Sequence, residues 1–248
     1  MATGRLRSMR ELHANSSLPR SGSELLQCLL SQHPEVYAGA TSPLLEFWYG
    51  ALGNYGLAEV QSQPADVMQS AFTGLCRAGA QGFYGAITDR TVCVDKSRGW
   101  LEYAELLWNA FPSAKIVCMT RKVDAILDSL NRIYLSNPGH PETRSLPRNE
   151  QARFDAWMKS GSLPLGLALD RIKMRQSKGD DPRIVYVRYG DLVAAPVDVM
   201  RGIFDFYGVD RFDVDPNNVV KGVVEDDRCY GIFGAHSVRK IVGERAIA

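Results

Sequence analysis

Leu18-Pro19-Arg20-Ser21-Gly22-Ser23-Glu24-Leu25-Leu26 is the stretch that decides how this chain folds. Upstream of it, Leu12 to Leu18 supplies the end of a strand. Downstream, Leu25 to Leu30 opens an apolar run with helical spacing. A strand, a short turn of small residues and a helix start together make an anion site. The first turn of a helix carries free backbone N–H groups and the positive end of the helix dipole. Gly22 lets a ligand approach the backbone, Ser21 and Ser23 add hydroxyl donors, and Arg20 adds a planar, permanent positive charge. Glu24 is the discordant residue. Ser21-Gly22-Ser23-Glu24 has the spacing of a capping box, with Ser21 as the cap and Glu24 reaching back to the cap N–H. The same residues also suit a ligand role, and the two readings compete for one space. A carboxylate near 4 Å from a phosphate costs roughly 4 kcal/mol at an effective dielectric of 20. Glu24 must therefore point away, be protonated, or weaken an anionic ligand.

The turn is not a Walker A loop. Ser17 stands where the first Gly is needed, and no Lys follows Gly22. A magnesium-dependent kinase is disfavoured on that ground. A binder that has lost its chemistry is a second rival, kept open by Glu24.

Working outward, the chain alternates strands and helices. Strands are predicted at Val36–Ala40, Val92–Val94, Lys115–Thr120 and Arg183–Arg188. Helices are predicted at Leu25–His33, Leu44–Leu52, Ala65–Ala78, Leu101–Phe111, Val123–Leu135, Asn149–Ser160, Pro164–Gln176, Tyr189–Val193 and Pro196–Tyr207. Between them, Asn137 to Arg148 holds Pro138, Gly139, Pro141 and Pro147, which predicts an irregular excursion. This alternation predicts an α/β fold of three layers, a central parallel sheet with helices on both faces. The 248 residues suffice for one such domain, 1–248.

The net charge of +1 argues against a general nucleic-acid or membrane-surface binder, so any anion site is local. No apolar run approaches the roughly 18 residues of a membrane span. The amino end has Arg5, Arg7 and Arg10 but no apolar signal core. The five cysteines form no CxxC pair, and Cys28, Cys93 and Cys118 lie inside apolar runs, so they are expected as buried thiols in a reducing, cytoplasmic setting. No His, Cys and carboxylate cluster has zinc spacing, and no metal is expected.

Pro19-Arg20-Ser21-Gly22-Ser23 resembles the 5′-phosphosulfate loop of sulfotransferases, which normally has Thr or Ser where this chain has Glu24. Two further stretches extend the likeness. Arg121 follows a strand, and Ser129 lies two turns into the next helix, similar to the 3′-phosphate site of that family. Arg188-Tyr189-Gly190-Asp191-Leu192 followed by Ile203–Gly208 is similar to its later strand and helix. Together they span about Leu12 to Gly208. The match looks closest to the bacterial-type, tyrosylprotein-sulfotransferase-like branch.

The resemblance implies a P-loop-like fold and transfer of a sulfuryl group, without metal, from 3′-phosphoadenosine 5′-phosphosulfate (PAPS) to a hydroxyl or amine of a small-molecule or peptide acceptor. It implies donor contacts from Arg20, Ser21, Gly22, Ser23, Glu24 and Leu25, from Arg121 and Ser129, and from Arg239 and Lys240 in a basic closing segment. Such a reaction needs cations at the departing phosphate, a base for the acceptor proton, and in-line placement. Arg20 meets the first need. Lys96 is a second candidate, because tyrosylprotein sulfotransferases place a lysine just past this strand; Arg98 shares or replaces that role. For the base, the family register falls on Ala40 or Thr41. Glu46, one helical turn further, is the choice, with His13 and His33 as alternatives.

Overall fold

The computed structural model describes residues 9–242. Five strands form one sheet: β1 (Glu11–Asn15), β2 (Val36–Thr41), β3 (Val92–Lys96), β4 (Ile116–Thr120) and β5 (Ile184–Arg188). All pairings are parallel, in the order β2-β3-β1-β4-β5. The helices are α1 (Ser23–Leu30), α2 (Leu44–Leu52), α3 (Ala58–Gln61), α4 (Ala65–Gly85), α5 (Ala104–Ala110), α6 (Val123–Leu135), α7 (Pro141–Ser145), α8 (Glu150–Met158), α9 (Gly166–Ser177), α10 (Tyr189–Ala194) and α11 (Pro196–Tyr207).

The three layers follow from the two-residue period of the strands. Leu12, Ala14, Cys93, Ile116 and Cys118 point to one face, where they pack on α2, α4 and α5. Val92, Val94, Val117 and Met119 point to the other, against α1, α10 and α11. Apolar residues on both faces are what a doubly covered parallel sheet requires. A third cluster packs Leu18 of the turn after β1 against Ile126, Leu130 and Tyr134 of α6 and Trp157 and Leu165 of the segments after it.

The chain visits β1, then β2 and β3 on one side, then β4 and β5 on the other. The strand order therefore reverses at β1. In open α/β sheets the crevice beyond the carboxyl ends at such a point is where ligands bind. The register places Asn15 opposite Lys96, so β1 and β3 end level.

Two expectations need correction. The helix predicted to stop at Ala78 runs to Gly85. Phe72, Cys76, Ala80 and Tyr84 keep a buried stripe at four-residue spacing, while Gly79, Gly82 and Gly85 face open space and cost only propensity. The Asn137–Arg148 excursion contains α7, capped by His140, whose ring accepts from the Glu142 N–H at 3.2 Å. Cys28, Cys93 and Cys118 are buried free thiols, as is Cys76; Cys229 is exposed. Among the described residues, no helix is long and apolar enough to cross a membrane, and no group of His, Cys, Asp and Glu is arranged to hold a metal.

Candidate active site

The turn after β1 is sewn to β4. Ser16 N–H donates to Val117 O at 2.9 Å, Leu18 N–H to Met119 O at 3.1 Å, and Met119 N–H to Ser17 Oγ at 3.0 Å. Two residues of the turn take left-handed backbone angles, Arg20 at φ 55° and Gly22 at φ 94°. Such alternation turns backbone N–H groups toward one concavity, an anion nest. Arg20 holds a conformation unfavourable for a side-chain-bearing residue, a feature that clusters at ligand sites. Gly22 is needed twice over. Its φ favours glycine, and an added Cβ would lie 2.5 Å from the Tyr189 ring.

The capping box does not form. Gly22, not Ser21, occupies the N-cap of α1, and no side chain caps it. Ser21 is fully buried and donates to Leu18 O at 2.7 Å, holding the turn from behind. The Glu24 carboxylate turns instead toward two ammonium groups, contacting Lys96 Nζ and lying 3.2 Å from Lys221 Nζ. The acidic charge beside the anion nest is thus met from two sides.

Lys96 is the last residue of β3. The turn after it is fixed by Asp95, which accepts from the Tyr84 hydroxyl and the Trp100 indole N–H, both at 2.6 Å. Burial raises the Asp95 pKa, against these hydrogen bonds. Burial pushes the Lys96 ammonium down to about 8, against the pull of Glu225. Glu225 Oε2 lies 3.8 Å from both Lys96 and Lys221. Its Oε1 accepts from the Thr41 N–H at 3.2 Å. Burial raises the Glu225 pKa, but Lys96 and the Thr41 hydrogen bond outweigh it and leave a net lowering.

Arg121 follows β4 and reaches the loop. Its guanidinium donates to Arg20 O at 3.0 Å and lies 4.7 Å from the centroid of the Tyr189 ring. Ser129 Oγ accepts from Arg20 Nε at 3.1 Å. The ends of β1, β4 and β5 and the flank of α6 thereby meet at one point.

A cleft of about 980 Å³ opens there. Its wall carries Arg20, Lys96, Arg98, Arg121, Arg132 and Arg239, against Glu24 as the one carboxylate among the described lining residues. Burial lowers the Arg20 pKa, and the neighbouring Arg121, Arg98 and Arg132 lower it further. Cations crowded this way favour a polyanion. Apolar and aromatic side chains also line it, among them Ile133, Tyr134, Tyr230, Ile232 and Phe233.

Gly22, Ser23 and Leu25 also line the cleft, as does Ser129. Three expected site residues do not: Ser21, whose hydroxyl is turned back onto Leu18 O, Glu46 and Lys240. Glu46 is exposed on α2, because Leu44, Leu45 and Trp48 take that helix's buried face. Lys240 lies off the wall, its carbonyl accepting from Val219 N–H at 2.8 Å. The alternative bases are also misplaced. His13 is buried under the sheet and stacked on Tyr207, and His33 packs on Phe204 and Phe212. Sequence reasoning missed Lys221, Glu225 and Asp227. The run of three acidic residues, Glu225-Asp226-Asp227, in a glycine-containing tail that also carries Lys221, Arg228, Arg239 and Lys240 was the available signal.

A profile described as the sulfotransferase family matches residues 16–213. The chain belongs to the sulfotransferase family. It is an enzyme of sulfuryl transfer. No curated protein matches it significantly by sequence. Solved structures share the fold. A sulfotransferase domain from the curacin biosynthetic pathway is 21% identical, with 82% of this chain and 75% of that one covered and a TM-score of 0.53. A sulfotransferase domain from the Synechococcus PCC 7002 olefin synthase is 20% identical, with 96% and 91% covered and a TM-score of 0.52. The mouse sulfotransferase SULT7A1, complexed with PAP, is 18% identical, with 82% and 60% covered and a TM-score of 0.50.

Proposed function

We propose that this sulfotransferase takes its sulfuryl group from PAPS and delivers it to a hydroxyl or amine of a small-molecule or peptide acceptor. The carrying observation is the meeting of Arg20, Arg121 and Ser129, far apart in sequence, around one loop. The 5′-phosphosulfate would sit on the N–H groups of Gly22 to Leu25 at the start of α1. Arg121 and Ser129 would take the 3′-phosphate, and Arg239 would close over the nucleotide. Lys96 and Arg20 would stabilise the charge that grows on the departing phosphate oxygen. PAP, bound in the mouse protein of similar fold, is the nucleotide left when PAPS gives up its sulfuryl group. Lysine at the end of β3 supports the tyrosylprotein-like branch. We read the chain as one domain working in a reducing cytoplasm, consistent with its buried free thiols.

Thermal melting with PAP tests the donor site. At 100 times Kd the ligand should stabilise the fold by roughly 2.7 kcal/mol. No shift at millimolar PAP refutes the reading.

A further inference from the structure

The segment from Lys221 to Arg239 folds across the mouth of the donor loop. Arg20 donates to Ala235 O. Asn137 accepts from Phe233 N–H at 2.8 Å and donates to Phe233 O at 3.1 Å. Lys221 Nζ donates to His236 O at 2.7 Å. These ties hold His236 in the cleft wall. Behind it stands Asp227, 2.7 Å from His236 Nδ1.

The Asp227 carboxylate is held ionised. Burial raises its pKa, but hydrogen bonds from His236 and the Gly234 N–H outweigh this and lower it. An ionised carboxylate only accepts, so Nδ1 carries the proton of this contact. The lone pair of the neutral ring is then on Nε2. Glu225 Oε1 is the nearest carboxylate to Nε2, at 3.8 Å, beyond hydrogen-bond range. The other groups facing the ring are Tyr230, with its ring centroid at 4.7 Å, and Lys221 through the carbonyl bond. A carboxylate that fixes the tautomer and orients the ring is the arrangement general bases use.

We propose that His236, oriented by Asp227, takes the proton of the sulfuryl acceptor; this rests on the donor reading above. The O–H bond of the acceptor breaks and its proton passes to Nε2. The acceptor oxygen forms the new bond to sulfur. The bond from sulfur to the 5′-phosphate oxygen breaks, and its electron pair stays on that oxygen, opposite Arg20 and Lys96. Glu225 is the poorer base: its pKa is lowered, and its oxygens already face Thr41, Lys96 and Lys221.

Two measurements test this. The first needs no acceptor. Nitrogen-15 NMR of the histidine-labelled chain at mildly alkaline pH should show His236 protonated on Nδ1, and Asp227→Asn should erase that preference. A ring protonated on Nε2 overturns the proposal. The second compares phenols of rising basicity, read as PAP released from PAPS. His236→Gln should lower turnover by about 10²- to 10⁴-fold with unactivated phenols. The loss should shrink toward nothing with 4-nitrophenol, which arrives already ionised. An equal loss for every phenol, or none, overturns the proposal. Calorimetry with PAP separates the two layers. Absence of PAP binding in the unsubstituted chain sinks the donor reading. Equal PAP binding with unchanged turnover in His236→Gln sinks the base alone.

Discussion

Glu24→Thr puts the usual family side chain into the loop and separates two effects of opposite sign. Glu24 sits between Lys96 and Lys221, with side chains only 10–15% exposed. Removing it leaves two ammonium groups short of one counter-charge. Breaking a buried pair by deleting one partner costs about 3–5 kcal/mol. Here Glu225 remains 3.8 Å from both lysines, so the expected cost is smaller, roughly 1–2 kcal/mol. For a chain of this size that lowers Tm by about 2–8 °C. Donor binding should move the other way. A phosphate about 6 Å from the carboxylate is repelled by roughly 3 kcal/mol at an effective dielectric of 20. The two lysines offset part of this at present and would be released toward the ligand. PAP affinity should therefore rise by about 1–2 kcal/mol, roughly 5- to 30-fold. Differential scanning calorimetry and titration calorimetry with PAP measure both, with Glu24→Gln as the volume-preserving control. Weaker PAP binding by a folded Glu24→Thr variant refutes the reasoning, since it would mean that the carboxylate assists the ligand.

Other perturbations probe the same cleft. Lys96, with its pKa pushed down to about 8, should lose its charge as pH rises past that value. A cation lost from an anion site weakens binding, so PAP affinity should fall above about pH 8 by up to tenfold per unit, and Lys96→Met should flatten that slope. Gly22→Ala should cost about 1–3 kcal/mol of stability and abolish PAP binding, because its Cβ would meet the Tyr189 ring at 2.5 Å in a left-handed conformation; unchanged Tm and affinity would contradict this. Arg121→Ala should weaken PAP binding by about 1.5–3 kcal/mol, and Arg121→Lys should recover little, since an ammonium cannot both fork and stack on Tyr189. Asp95→Ala strands the buried Tyr84 hydroxyl and Trp100 N–H, and should lower stability by about 2–5 kcal/mol in urea unfolding.

What was legible in the sequence was local. Leu12 to Leu30 announces strand, turn and helix within twenty residues, and Ile116 to Ser129 repeats the pattern, so the loop and Arg121 could be placed without coordinates. The three-layer sheet followed from alternation, since strands buried on both faces read as apolar runs. Glu24 was opaque for a different reason. Its spacing from Ser21 satisfies a local rule, but Gly22 takes the cap position in a left-handed conformation, and the carboxylate answers to Lys96 and Lys221. Long-range charge pairing leaves no period in a sequence. The closing segment was opaque for the same reason. Lys221, Glu225 and His236 lie on irregular backbone, and Asp227 opens a three-residue 3₁₀ turn, in a segment tied down by bonds to Arg20, Thr41 and Asn137. Glu46 shows the converse. It sat near the register that family resemblance suggested, yet helical geometry alone sends it outward once Leu44, Leu45 and Trp48 face the core. A base sought on a regular element is constrained by that element's buried face. One carried on a loop is free to be aimed, and aiming then requires a partner such as Asp227 to hold it.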